Sequence, residues 1–199
     1  MPRVTILAYS HLATFELGCA IELFALPRPE IDGWYQTKVT SFEEGPLEAT
    51  GGISINADRI TSFSSFDMVI VPGWNTAGAP IPAPLARALR QFFASGGRIL
   101  SFCSGAFLLA ELGFLDQGQA TTHWRYAELF KQRFPKVSYV DNVLYVYDGI
   151  VGCSAGSAAA IDLSLNVIRE DFGHTIANQV ARRLVMSPHR SGGQSQFVE

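Results

Sequence analysis

Two patterns of apolar spacing alternate along the chain. Residues 4–9, 66–71 and 98–102 are apolar or β-branched almost without interruption, as in strands buried on both faces. Residues 14–26 instead place Phe15, Cys19, Leu23 and Leu26 at helical spacing, with Thr14 as the expected N-cap and Pro27 and Pro29 as the stop. Helical spacing returns at 85–94, closed by Gly96-Gly97, at 104–112, closed by Gly113, and at 124–134, closed by Pro135. A long helix is expected from 154 to about 171, broken by Gly173, with a last helix over 175–184. Residues 35–42 form a further expected strand, and shorter extended pieces fall at 53–55, 120–122, 137–140 and 144–147. Asp148-Gly149 marks a hairpin turn into 150–153.

Strands that alternate with helices, several of them continuously apolar, predict an α/β domain with a mostly parallel central sheet between helical layers. The expected domain covers residues 1–188. After Pro188 the chain turns polar, and 189–199 reads as a linker or tail.

The 199 residues are 48% hydrophobic and 17% charged, with a net charge of -3, so a sizeable core is available and a basic nucleic-acid face is not. No stretch approaches the apolar length of a membrane span, and the N-terminus lacks a signal-peptide layout. Cys19, Cys103 and Cys153 are odd in number and lack framework spacing, which fits a reducing cytoplasm. No metal-ligand spacing occurs, and no metal or cofactor is expected.

Candidate chemistry centres on Cys103. The apolar run 98–102 stops at this cysteine, then Ser104 and Gly105 lead into a helical pattern. That is the layout of a nucleophile elbow, which holds one side chain over the end of a sheet. A thiol at a helix N-terminus is expected to favour the thiolate. Ligands of open α/β sheets bind at the carboxyl ends of the strands. Four segments should converge there: the loop carrying Glu16, the turn Pro72-Gly73-Trp74, the Cys103 elbow and the loop Ser154-Ala155-Gly156. Cys19 reads as a core residue and Cys153 as either core or pocket lining. Glu16 stands in a first helical turn, where the dipole alone favours a carboxylate. His123 reads as a base or, with Thr122, as a helix cap. His11 is a loop residue near the expected pocket, and Arg182-Arg183 a solvated helix face or subunit contact.

Phe102-Cys103-Ser104-Gly105-Ala106-Phe107, Ala120-Thr121-Thr122-His123-Trp124 and Ser154-Ala155-Gly156-Ser157 with Ile161-Asp162-Leu163 together resemble the ThiJ/PfpI superfamily. Its fold is like that of class I glutamine amidotransferases, a flavodoxin-like three-layer sandwich. Thr14-Phe15-Glu16-Leu17, Glu22-Leu23-Phe24, the segment 26–30, Val71-Pro72-Gly73-Trp74 and the segment 180–190 further resemble the sensor half of AraC-type transcriptional activators of the FtrA kind.

The resemblance implies that Glu16 hydrogen-bonds Cys103. It also implies an oxyanion hole from the N–H groups of Ser104 and the Gly73-Trp74 turn. Peptidase-like members carry a histidine where Ser104 stands, so peptidase activity is not expected. The Cys103–Glu16 pair also resembles isonitrile hydratases, with Glu in place of their usual Asp and Ser104 in place of Thr. Regulators of the resembled kind carry a C-terminal DNA-binding module that this sequence lacks. The expected function is therefore ligand sensing in a cytoplasmic homodimer. A small, unidentified effector would be bound near Gly73, Trp74, Ser104, Gly105, His123, Cys153 and Ser154, and DNA would be reached only through that absent module. The alternatives are a thiol-dependent hydratase, with Cys103 and Glu16 as catalytic pair, and a cysteine-based redox sensor with Cys153 as resolving thiol.

Overall fold

Each apolar run expected as a strand lies in one seven-stranded sheet. A computed structural model of the chain, describing residues 1–190 and 192–197, contains β1 (Arg3–Leu7), α1 (Thr14–Ala20), β2 (Gln36–Ser41), β3 (Leu47–Ala49), β4 (Ile53–Ile55), β5 (Asp58–Arg59) and β6 (Met68–Pro72). It continues with α2 (Ala83–Ala94), β7 (Arg98–Phe102), α3 (Ala106–Glu111), β8 (Gln119–Ala120), α4 (Ala127–Arg133), β9 (Ser138–Tyr139), β10 (Tyr145–Tyr147), β11 (Val151–Ser154) and α5 (Ala159–Arg183). The main sheet has the order β10-β11-β7-β6-β1-β2-β5. All its pairs are parallel except β10 with β11, the hairpin signalled by Asp148-Gly149. β3 with β4 and β8 with β9 form two-stranded ribbons beside it.

The alternation of side chains along the central strands builds the two cores. Val4, Ile6, Met68, Ile70, Leu100 and Phe102 face α1 and α5, where they meet Leu17, Leu23, Leu163 and Ile168. Leu7, Val69, Val71, Ile99 and Val151 face the opposite layer, packing on Leu89 and Phe92 of α2, Phe107 of α3 and Phe130 of α4. This is the expected mostly parallel α/β sandwich.

Several local expectations differ from what is found. The helix 14–26 is α-helical only to Ala20, then widens into a π-turn over Ile21–Ala25. Its N-cap is Ala13, and Thr14 makes no capping bond. The helix behind the elbow begins as a 3-10 turn over Cys103–Gly105. The break expected at Gly173 is found: with φ 84° and ψ 169° it takes the backbone out of the helical region inside α5.

One ion pair fastens this last helix to the bottom of the sheet. Arg98, at the start of β7, donates from Nη1 and Nη2 to the two carboxylate oxygens of Asp171 at 2.7 and 2.9 Å. Tyr35 donates to the same carboxylate at 2.5 Å. Burial works against the Arg98 charge, but the Asp171 bonds and charge outweigh it and hold its protons more tightly than usual. Tyr35 is likewise held protonated, by burial and then by the Asp171 charge.

Residues 189–199, expected as linker or tail, return to the domain where they are described. Arg190 pairs with Asp162 on α5, and Gln194 is 4% exposed. Residues 191, 198 and 199 of that segment lie outside the described residues.

Candidate functional site

The elbow forms because β7 delivers an extended Phe102 directly into a turn that only a small follower permits. Cys103 has φ 52°, in the left-handed region that side chains disfavour. Gly105 lies so close to β6 that a Cβ there would sit 2.8 Å from the Val71 carbonyl oxygen. The turn therefore packs against its neighbouring strand, and the thiol projects at the carboxyl end of the sheet. Thr122 Oγ1 donates to the Cys103 carbonyl at 2.7 Å and fixes the strained peptide from the far side.

Glu16, 5% exposed in the first turn of α1, lies close enough to Cys103 for its carboxylate to bear on the thiol proton. The structure thus brings together the pair that the resemblance implied. A third residue joins them. Ser157, with φ 23°, donates its hydroxyl to Glu16 Oε1 at 2.8 Å, and its backbone N–H reaches the Cys103 sulfur. The sequence offers Ser157 at a helix start and within the motif Ser154-Ala155-Gly156-Ser157, without a role at the thiol. Its strained backbone, which aims N–H and hydroxyl at two partners, left no signal in the composition.

The expected preference for thiolate is overturned. Burial pushes the Cys103 thiol up to about 11, and the Glu16 charge adds to the rise. The N–H groups of Ser157 and Ser104 oppose it without prevailing. One N–H from the 3-10 turn and one from the loop before α5 do not offset desolvation plus a neighbouring carboxylate. Cys19 is raised to about 11 and Cys153 to about 12, in both cases chiefly by burial.

These three thiols give a pH prediction. In the unfolded chain they ionise near 9.0, whereas the folded chain holds their protons to about 11–12. Their contribution to stability is therefore complete below pH 9 and is lost as pH rises through the folded values. Chemical denaturation from pH 7.5 to 11 should show the midpoint falling above pH 9. In the Cys103→Ala chain that fall should be shallower, and an identical slope would show that the Cys103 proton is not held by folding.

Two of the N–H groups expected by resemblance to form an oxyanion hole are bonded within the protein. Trp74 N–H donates to Ser104 Oγ at 3.0 Å, and Ser104 Oγ donates back to the Trp74 carbonyl at 2.7 Å. Gly73 N–H is bonded to the Val71 carbonyl at 3.0 Å, and Ser104 N–H is directed at the Cys103 sulfur.

His123 lies on the other side of Cys103. Its Nδ1 accepts from Arg125 N–H at 3.1 Å, so it caps the following turn. Its ring packs on Gly156, where a Cβ would come within 2.4 Å of His123 Cδ2. Burial, then the Arg125 charge, keeps this imidazole less basic than usual.

Two cavities flank the elbow. One, of about 360 Å³, is lined by Tyr9, His11, Glu43, Gly73, Trp74 and Ser104 among others, with Tyr9 and Trp74 meeting edge to face at 4.7 Å. The other, of about 230 Å³, is lined by His123, Trp124, Gly156, Ser157, Arg190 and Gln194 among others. Gly105, Cys153 and Ser154 are buried beneath the elbow and in β11, away from both linings. His11, with φ 67°, lines the first cavity. Among the described residues no cluster of His, Cys, Asp or Glu is suited to a metal ion, and no helix is long and apolar enough to cross a membrane.

The chain is similar to several known proteins. The chain is 34% identical over 167 residues to the HTH-type transcriptional regulator CdhR of Pseudomonas aeruginosa, covering 83% of this chain and 49% of that regulator. It is 29% identical over 147 residues to an isonitrile hydratase of Pseudomonas putida, covering 72% of this chain and 62% of that enzyme. The chain thus spans about half the length of the regulator and under two thirds of the hydratase. The crystal structure of an AraC family transcriptional regulator from Pseudomonas putida superposes with a TM-score of 0.81 at 19% identity, over 92% of this chain and 100% of that one. The DJ-1/PfpI family model matches residues 2–170, which contain the elbow, Glu16 and the Ser157 loop, and the chain belongs to the DJ-1/PfpI family.

Proposed function

We propose that the chain is the ligand-sensing part of an AraC-type transcriptional regulator. A small-molecule effector would be seated at the carboxyl end of the sheet, in the cavity walled by Tyr9, Gly73, Trp74 and Ser104. The observation that carries this is the similarity to an HTH-type regulator over 83% of the chain. The site chemistry supports it. The thiol is held protonated, the Gly73 and Trp74 N–H groups are internally bonded, and His123 Nδ1 is committed to a cap. A cytoplasmic homodimer that reaches DNA through a separate module completes the proposal.

The alternative is a thiol-dependent enzyme of the isonitrile hydratase type, favoured by the Cys103–Glu16 contact and the hydratase relative. One experiment separates the two. The purified chain is screened against small metabolites by thermal shift, and in parallel assayed for hydration of simple isonitriles, with Cys103→Ala as control. A stabilising ligand whose effect is lost in Ala79→Trp, which fills the cavity from its rim, is the expected result. Isonitrile turnover abolished by Cys103→Ala, with no such ligand, would replace the sensor by the enzyme.

A further inference from the structure

The segment after Pro188 is polar, yet it is seated in the domain like a core element. Gln194 Nε2 donates to Thr121 Oγ1 at 3.2 Å, to the Thr122 carbonyl at 3.1 Å and to the Asp141 carbonyl at 3.1 Å. Ser195 donates through N–H and Oγ to Asn142 Oδ1, at 3.3 and 2.6 Å. Arg190 grips both carboxylate oxygens of Asp162, which is 8% exposed. Gly193 passes so near Asn142 that a Cβ would stand 2.1 Å from Oδ1 and 2.3 Å from the backbone oxygen. This seat admits glycine only.

The seat touches the elbow by two routes. Thr122 accepts from Gln194 through its carbonyl and donates through its hydroxyl to the Cys103 carbonyl. Ser157, whose N–H reaches the Cys103 sulfur, lines the cavity of about 230 Å³ whose outer wall includes Arg190 and Gln194. We infer that residues 193–195, together with Arg190, form a strap whose docking is energetically coupled to the state of the Cys103 thiol.

Polar bonds hold the strap, with no large apolar anchor on Arg190 or on 193–195, so it opens at a small fraction of the global unfolding cost. A group added to the Cys103 sulfur competes with the Ser157 N–H for space and displaces the loop 156–158. That loop shares a cavity wall with Arg190 and Gln194, so the docked strap is disfavoured. Coupling of this kind is reciprocal: strap release must change the free energy of modifying Cys103 by the amount that modification changes strap docking. The coupling is a property of the domain, and it holds whether the chain senses an effector or turns over a substrate.

The test uses the 199-residue chain and iodoacetamide, whose carbon bonds the Cys103 sulfur as iodide leaves. Alkylation at Cys103 is followed by peptide mass spectrometry in the parent, in Gly193→Ala, which blocks the seat without deleting a polar group, and in Gln194→Ala. Both variants should react about fivefold faster, within the usual range of allosteric couplings. In the reverse direction, alkylated parent protein should show about fivefold faster hydrogen exchange in the peptide covering 192–197, with the peptide covering β1 unchanged. Equal alkylation rates in all three chains, or exchange of 192–197 that ignores alkylation, would overturn the coupling. The reverse measurement uses the parent alone, so it decides the matter even where a variant folds poorly.

Discussion

A chain carrying Glu16→Gln is expected to be alkylated at Cys103 roughly tenfold faster at pH 8 than the parent. Burial is the largest cause of the raised thiol, but the nearby Glu16 carboxylate adds to it. Glutamine keeps the shape and an oxygen that can accept from Ser157 Oγ, while removing the charge. Each ~1.4 kcal/mol of relieved repulsion is tenfold in thiolate fraction. The rate of iodoacetamide labelling, measured from pH 7 to 10, reports this directly. A rate that falls in Glu16→Gln would identify Glu16 as the base that activates Cys103, and with that the enzyme alternative would gain its missing element.

The largest loss of stability is expected far from the elbow. Asp171→Ala removes the acceptor of two Arg98 bonds and one Tyr35 bond, and strands a guanidinium on a side chain only 20% exposed. Breaking one partner of a buried pair costs about 3–5 kcal/mol. The residual exposure places this pair at the lower end, about 3 kcal/mol, or roughly 6–12 °C in Tm for a domain of this size. The double variant Arg98→Met/Asp171→Leu should recover most of that loss, because no unpaired charge remains. A thermal melt of Asp171→Ala within 2 °C of the parent would show that the pair merely decorates the helix.

The apolar runs made β1, β6 and β7 legible, because strands buried on both faces need apolar side chains on both. The elbow was legible for a related reason: a cysteine between an apolar strand and the small pair Ser104-Gly105 has few other uses. β3 and β5 left no such trace. They are two or three residues long, partly polar, and exist because β4 and β2 offer them partners. Spacing points to a thiolate at Cys103 because a helix dipole is visible in it, while desolvation depends on what the fold stacks above the thiol. Gln194 reads as part of a polar tail for the same reason. Its burial follows from acceptors on Thr121, Thr122 and Asp141, which come together only in three dimensions.

The Ser104 hydroxyl, bonded both ways to the backbone of Trp74, also sets what a newcomer must look like. One oxygen serves there as donor and acceptor at once. A molecule that entered between Ser104 and Trp74 would have to offer the same two-sided chemistry from a single small atom group, or leave a carbonyl and an N–H unpaired. A hydroxyl meets that demand; a methyl or a halide does not. The serine beside the thiol therefore already supplies both bonds that the Trp74 backbone needs, and a molecule that leaves this pair intact meets no free Trp74 donor there.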